Sequence, residues 1–358
     1  MTVPFVRASG TPFEVGYQHG AALAAGLRAF LADDLARIGK LAPASAPVTL
    51  AQLEPLLGEY SAAIAAAAPS LGEEIAGLAE GAGISPAEAV LLQARRELIG
   101  YQKVPVPACG DCTTYASLSA GPGGGPVLAQ TVDLNGNLDD QLAVLDVGLS
   151  GSPRRSLVLS FGGLLGYLGL NSDGLAIGLN LVLGGDWLPG VPPYLAIRYL
   201  LDSAGNVKDA LAILAGLPLA SSRSLTLCDP ATVACVEVLG GELRVVGSGP
   251  ATVHTNHFLD QDFSAADELN VFARNSSVRR LRAGAGGLAG FAAQPARRDV
   301  NSHFALLSVP PICVADTGDL RRERTVAAVV MLPDRGELHV RPGNPALSST
   351  QAFRVERS

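Results

Sequence analysis

The chain has 358 residues, of which 48% are hydrophobic and 16% charged, and its formal net charge is −7. This composition excludes a disordered or fibrous protein and fits one large globular domain or two fused ones. Because the net charge is negative and no basic stripe with interleaved aromatic residues occurs, the sequence argues against a nucleic-acid partner.

Neither membrane insertion nor secretion is indicated. Mean hydropathy is +0.30, but no window reaches the roughly 18 uncharged apolar residues that a spanning helix requires. Residues 1–10 lack the basic and apolar regions of a signal peptide, so we expect a cytoplasmic protein without a membrane partner. The five cysteines are an odd number, which does not suggest a disulfide framework.

The first third of the chain is predicted to be helical. Apolar residues recur at spacings of three and four through residues 21–38, 50–67 and 85–98, and Pro or Gly falls where these helices should end. Strand signals are few before residue 105.

From residue 112 onward the pattern changes to short strands separated by Gly-rich turns, with two helices at 192–203 and 206–216 and a third at 277–283. The predicted strands are 112–119, 127–133, 142–149, 156–161, 168–170, 175–182, 224–228, 233–238, 243–246, 252–255, 326–331 and 337–340. Such an order predicts an α+β fold in which two antiparallel sheets pack together with helices outside.

The segment Ala108-Cys109-Gly110-Asp111-Cys112-Thr113-Thr114-Tyr115 lies where helix gives way to strand. The Cys112 thiol could attack the carbonyl of Asp111, after which the acyl group shifts from nitrogen to sulfur and water opens the ester. Cleavage would free an α-amine with a pKa of about 7.7 to 8.0, able to act as general base for the thiol of the same residue. Gly110 would permit the strained backbone that such a step needs.

Three other interpretations of Cys109-x-x-Cys112 remain open at this point. A redox pair should open a helix in a βαβ unit, whereas a strand-favouring run follows here. A zinc site could add His254 and His257, although their spacing is short and the two halves are far apart in sequence. Both cysteines could also be small buried residues of the core.

Several collinear segments resemble the acyl-coenzyme A:6-aminopenicillanic acid acyltransferase family of cysteine N-terminal-nucleophile (Ntn) hydrolases, peptidase family C45. The resemblance covers most of the chain. The segments that carry it are Gly10-Thr11-Pro12-Phe13-Glu14-Val15-Gly16-Tyr17-Gln18-His19-Gly20, Gly110-Asp111-Cys112-Thr113-Thr114, Gln130-Thr131-Val132-Asp133, Gly169-Leu170-Asn171-Ser172-Asp173-Gly174-Leu175-Ala176, Gly190-Val191-Pro192 and Val253-His254-Thr255-Asn256-His257.

The resemblance implies a four-layer αββα sandwich and an inactive precursor that cuts itself between Asp111 and Cys112. The products would be an α chain of residues 1–111, mainly helical, and a β chain of residues 112–358, which together form one domain. It also implies that Cys112 is the nucleophile, that Asp133 positions the new terminus and that Asn256 donates its amide to the oxyanion.

The sequence departs from the family pattern at one position. An arginine directly follows a late Ile-Cys pair in the family, whereas Ile312-Cys313 is followed here by Val314. Three later arginines, Arg321, Arg322 and Arg324, could replace that charge if their loop folds back.

The function expected from these residues is amide hydrolysis or acyl transfer through a thioester on Cys112, with a small N-acyl amide or an acyl donor such as acyl-coenzyme A as partner. The alternatives are an uncut, catalytically silent member with a binding or structural role, and a hydrolase similar to the bile-salt and penicillin V acylases. Neither a cofactor nor a metal is expected, because Gly163-x-x-Gly166-x-x-Gly169 lacks the Gly-x-Gly opening of a dinucleotide site and no P-loop occurs.

Overall fold

A computed structural model describes residues 1–41, 48–100, 112–118, 125–294 and 299–356. The described residues form helices α1 (Pro12–Ala32), α2 (Asp34–Leu41), α3 (Leu50–Ala67), α4 (Pro69–Ala82), α5 (Pro86–Gly100), α6 (Pro193–Ser203), α7 (Val207–Leu214), α8 (Gln261–Ser264), α9 (Val271–Ala293) and α10 (Val300–Leu307). The strands are β1 (Phe5–Gly10), β2 (Thr113–Ser117), β3 (Val127–Leu134), β4 (Leu142–Leu149), β5 (Arg155–Phe161), β6 (Leu168–Asn171), β7 (Ala176–Leu181), β8 (Arg223–Cys228), β9 (Val233–Leu239), β10 (Glu242–Ser248), β11 (Ala251–His254), β12 (Arg324–Leu332), β13 (Glu337–Pro342) and β14 (Gln351–Arg354).

These strands form two sheets that pack face to face. The first sheet has the order β1-β4-β5-β6-β7-β8-β9-β10, and the second has the order β11-β2-β3-β12-β13-β14. Strands β2 and β3 contact β7 and β8 across the interface, α1 and α6 cover the first sheet, and α9 and α10 cover the second. The predicted α+β fold, a four-layer αββα sandwich, is confirmed.

The edge strand β1 was not predicted, and it makes the first sheet mixed rather than wholly antiparallel. It pairs with β4 in parallel, Val6 lying opposite Leu145 and Ala8 opposite Val147. Val6 and Ala8 are its buried apolar residues. Because Phe5 is apolar but exposed, the segment lacks the strict alternation of apolar and polar residues that marks a half-buried strand.

Helix boundaries differ from prediction where proline or glycine was interpreted as an end. Pro69 opens α4 rather than closing a helical region, since proline is well tolerated in a first turn. The predicted helix at 277–283 is the middle of α9, whose glycines do not interrupt it. Neither α10 nor β14 was predicted.

Close approach of α1 and α4 explains four glycines. A Cβ atom at Gly16 or Gly20 would overlap the backbone of α4, and one at Gly77 or Gly81 would overlap the backbone of α1. These residues repeat at a spacing of four on each helix, so they form the contact face of both.

Among the described helices, none alone has the length and apolar composition of a membrane span, although α4 and most of α5, bent by 119°, pass that test as a pair.

The buried ion pair between α4 and α6 is expected to stabilise this packing. Arg198 Nη1 and Nη2 lie 2.9 and 3.1 Å from the two carboxylate oxygens of Glu74, and the Arg198 side chain is fully buried. Replacing Arg198 with methionine leaves Glu74 buried without its partner, which should lower the free energy of unfolding by about 3–5 kcal/mol. Urea denaturation followed by circular dichroism measures the change.

The matched control is Arg244→Met, because Arg244 and Glu242 form an ion pair in which both side chains are largely exposed. Loss of such a pair should cost less than about 1 kcal/mol. Equal effects of the two substitutions would contradict the assigned role of the buried pair.

Candidate active site

Cys112 directly precedes β2, and its side chain is buried between the sheets at 3% exposure. Its Sγ accepts a hydrogen bond from the backbone N–H of Asp133 at 3.4 Å. The pairing of β2 with β3, in which Thr113 lies opposite Thr131, brings Cys112 and Asp133 together. Asp111, the other residue of the predicted cleavage site, lies outside the described residues.

The carbonyl oxygen of Cys112 is held by two donors from opposite layers. Asn180 Nδ2 on β7 donates to it at 3.0 Å, and Arg280 Nη1 on α9 donates at 2.6 Å. Both side chains are fully buried. The cysteine backbone is therefore fixed on its C-terminal side by groups that do not depend on the preceding residue.

Asp133 presents a buried carboxylate beside the thiol. Thr131 Oγ1 donates to Oδ2 at 3.1 Å, and Thr325 Oγ1 on β12 donates to Oδ1 at 2.6 Å. Thr325 Oγ1 in turn accepts the backbone N–H of Val314 at 2.9 Å. The carboxylate is thus oriented by hydroxyl groups from its own strand and from the neighbouring one.

Asn256 follows β11 and is joined to Cys112 through Arg280. Its Oδ1 accepts a hydrogen bond from Arg280 Nη2 at 2.9 Å, and its Nδ2 donates to the carbonyl of Leu181 at 2.9 Å. An arginine only donates and a carbonyl only accepts, so these partners fix which end of the amide is the donor. The backbone N–H of Asn256 is bound by Ser277 Oγ at 2.8 Å.

Arg280 brings a positive charge to the carbonyl oxygen of Cys112, and it lies in none of the sequence motifs named above. Arg321 pairs with Asp319, and Arg324 pairs with Asp316 and Asp139, so neither compensates for Val314 at Cys112. Arg280 acts there instead. Its position on a helix with three other arginines resembles a solvated face in sequence, and only the fold shows that it points inward.

The environment of the thiol opposes ionisation. Burial, followed by the negative charge of Asp133, raises the pKa of Cys112 to about 12, although hydrogen bonds from Asp133 N–H and Tyr167 and the charge of Arg280 act in the other direction. In the uncut chain Cys112 is therefore held as a neutral thiol, and a base is needed before it can act as a nucleophile.

Cys112 and Asp133 line a small cavity. Its other lining residues are Arg96, Leu134, Asn135, Tyr167, Leu179, Leu181, Tyr194, Arg223 and Glu323. Tyr167 stacks on Tyr194 with ring centroids 4.9 Å apart. The Arg223 guanidinium lies over the indole ring of Trp187, 5.0 Å from the ring centroid.

The histidines considered for zinc have other partners. His254 Nε2 lies 2.7 Å from Glu237 Oε1, and His257 Nδ1 lies 2.7 Å from Ser277 Oγ. Within the described ranges no group of three or more His, Cys, Asp or Glu side chains is placed to hold a metal ion. Burial lowers the pKa of His257 to about 4, so it is neutral at pH 7 and helps to hold Ser277 beside Asn256.

His19 on α1 gives a pH-dependence that can be tested. Burial, assisted by the charge of Arg198, lowers its pKa from 6.5 to about 3. Between these values the unfolded chain binds a proton that the folded chain does not, so stability falls as the pH drops. The free energy of unfolding should fall by about 3 kcal/mol from pH 7 to pH 4 because of His19. Urea titrations at both pH values should show that His19→Leu removes this pH-dependent loss. The control variant His339→Leu should retain it. Parallel pH profiles for wild type and His19→Leu would contradict the prediction.

The described residues thus form a four-layer αββα sandwich in which a buried cysteine directly precedes a central strand. The chain belongs to the acyl-coenzyme A:6-aminopenicillanic acid acyl-transferase family, whose model matches residues 120–346. The matched region includes Asp133 and Asn256 and begins after Cys112.

One relative is the acyl-coenzyme A:6-aminopenicillanic-acid-acyltransferase 40 kDa form of Emericella nidulans, which is 29% identical over 289 residues, 79% of this chain and 78% of that protein. Among solved structures, penicillin V acylase from Agrobacterium tumefaciens matches with a TM-score of 0.45 and 17% identity, covering 68% of this chain and 86% of that one. The Caenorhabditis elegans ortholog of N-acylethanolamine-hydrolyzing acid amidase matches with a TM-score of 0.45 and 14% identity, covering 68% and 100%.

Proposed function

We propose that this protein is a self-cleaving enzyme that takes an acyl group from an N-acyl amide onto Cys112 and passes it to water or to an amine. Family membership supports acyl transfer or amide hydrolysis in general. The observation that carries the proposal is the position of Cys112, which precedes a central strand, lines a cavity and touches the backbone of Asp133.

Self-cleavage would come first, by attack of the thiol on the Asp111 carbonyl and hydrolysis of the resulting ester. The products are a chain of residues 1–111 ending in a carboxylate and a chain of residues 112–358 beginning with an amine. In the uncut chain the pKa of Cys112 is raised to about 12. The new terminus would supply a base at the thiol and, once protonated, a positive charge that favours the thiolate.

The second reaction would use the same sulfur. The thiolate attacks the substrate carbonyl, the C–N bond breaks, and the departing amine takes the proton from the terminal ammonium. Asn256 would bind the oxyanion through its Nδ2 hydrogen that points away from Leu181, while Asp133 orients the terminal amine. Water or an acceptor amine then opens the thioester and restores the thiol.

Mass spectrometry of the acylated enzyme tests the proposal. The protein is mixed with N-acyl amides or with acyl-coenzyme A, quenched in acid and examined for an acyl mass added to residues 112–358. Adducts with amides indicate amidase chemistry, and adducts with acyl-coenzyme A alone indicate a transferase. A cut protein that forms no adduct with either donor class would overturn the proposed function.

Cys235 provides the matched control for assigning the adduct. It is fully buried between Ser224 and Thr226, and burial raises its pKa to about 11. Cys235→Ala should therefore acquire the same adduct as wild type, and peptide mapping should place the label on Cys112.

A further inference from the structure

A second cavity adjoins the one that contains Cys112. Both are lined by Arg96, Leu134, Asn135, Tyr167 and Tyr194. Its remaining wall is largely apolar, with Phe30 from α1 and Leu92 from α5 among the side chains. Such a lining favours an apolar segment of a ligand, because removal of apolar surface from water is favourable.

Arg95 on α5 lines this second cavity and has no acidic partner there. Its Nε donates to the carbonyl of Ala36 at 2.6 Å, its guanidinium lies 5.6 Å from the Phe30 ring centroid, and the residue is 8% exposed. Its buried Nη2 has no hydrogen-bond partner among the described residues. Burial, followed by the positive charges of Arg96 and Arg37, lowers the pKa of Arg95 to about 9, although Tyr194 acts in the other direction.

Other buried arginines in the described part of the chain show how this charge is usually balanced. Arg198 is paired with Glu74 and Arg223 with Glu97, each within 3.0 Å. An arginine buried without such a partner is costly, and an incoming anion that pairs with it would remove that cost.

The backbone that binds Arg95 is itself strained. Asp34, Leu35, Ala36 and Arg37 have φ values of 53°, 43°, 56° and 63°. Non-glycine residues rarely adopt this left-handed region, because the Cβ atom comes too close to the following carbonyl oxygen. The turn places the Ala36 carbonyl on Arg95 Nε, and strain of this kind is concentrated at ligand sites.

We propose that Arg95 binds a carboxylate of the substrate, separated from the scissile carbonyl by an apolar segment that occupies the second cavity. The inference rests on the proposed function, since Cys112 defines where the scissile bond lies. It makes Arg95 a specificity-determining residue and the substrate class an anionic N-acyl amide. Either the acyl group or the amine of the substrate carries this carboxylate, because the ion pair with Arg95 would be the same in both cases.

Paired substrates test the proposal and separate the two sources. The first arm places the carboxylate on the acyl group and compares monoanilides of α,ω-dicarboxylic acids, from succinic to suberic, with their terminal methyl esters. The second arm places it on the amine and compares N-acyl amino acids that have an uncharged acyl group with their methyl esters. In the arm that matches the true source of the carboxylate, kcat/KM for the acid should exceed that for its ester on the order of 100-fold. Arg95→Met should abolish this preference. Arg282→Met, which removes an exposed arginine on α9, should keep it. Equal rates for acid and ester, or a preference that survives in Arg95→Met, would overturn the proposal.

A binding measurement distinguishes failure of this inference from failure of the proposed function. Titration calorimetry with the free dicarboxylates, succinate to suberate, requires no turnover. Binding to wild type and its loss in Arg95→Met would establish the anion site even if no amide were cleaved. Active enzyme that shows neither dicarboxylate binding nor an acid preference would disprove the role of Arg95 while leaving Cys112 chemistry intact.

Discussion

Cys112→Ala is expected to give a single chain of 358 residues, whereas wild type gives two fragments whose masses sum to that of the precursor plus one water. The substitution removes the sulfur that would attack the Asp111 carbonyl, and no hydroxyl or thiol remains at that position. Acyl transfer should be abolished as well, because both reactions would use the same atom. Intact mass under denaturing conditions measures the first effect, and release of amine from an N-acyl amide measures the second.

Two further variants make this result specific. Cys235→Ala removes another buried thiol and should be cut like wild type. Cys112→Ser keeps a hydroxyl nucleophile and should be cut more slowly than wild type, if at all. Fragments joined at residues 111 and 112 in the Cys112→Ala protein would instead indicate an external protease. A single uncut mass in wild type would favour the alternative of an uncut, catalytically silent protein with a binding or structural role.

The sequence could identify the layers of the fold because its strands are short and separated by strong turn residues. Short apolar and β-branched runs locate β3, β4 and β12 to within a few residues. β1 was missed because its exposed Phe5 breaks the alternation of apolar and polar residues that marks a half-buried strand. Helices α4 and α9 were misjudged because proline and glycine were interpreted as ends, whereas packing against neighbouring elements overrides local propensity.

The site was only partly predictable for a similar reason. Cys112, Asp133 and Asn256 lie in motifs, and the fold brings them within one network through Arg280. Arg280 and Asn180 meet only because two layers fold over the cysteine, and neither occurs in a motif that marks this contact. Their selection required knowing which face of α9 and of β7 is buried.

The segment before Cys112 is built into the same core as the rest of the chain. β1 pairs with β4, Glu74 with Arg198, and Glu97 with Arg223. None of these contacts involves the peptide bond between residues 111 and 112. If the chain is cut there, we expect the two products to remain associated, with α5 still forming a wall of both cavities.

Asn256→Ala is expected to lower kcat for an N-acyl amide on the order of 100- to 1000-fold, with a smaller effect on KM. An amide donor aimed at an oxyanion stabilises the transition state more than the ground state, and loss of one such donor typically costs about 3–4 kcal/mol. Arg280 and the Leu181 carbonyl hold the amide in one orientation, so no reorganisation is needed during the reaction. Steady-state rates, expressed per mole of cut enzyme as measured by intact mass, give the effect.

Asn275→Ala is the matched control, because Asn275 is an exposed residue on α9 and its truncation should leave kcat unchanged. Asn256→Asp should be at least as damaging as Asn256→Ala, since a carboxylate there would place negative charge beside the developing oxyanion. If Asn256→Ala retained kcat within threefold of wild type while folded and cut, another group would have to bind the oxyanion. Asn180 would then be the first to examine, because it is buried and already donates to the carbonyl of Cys112.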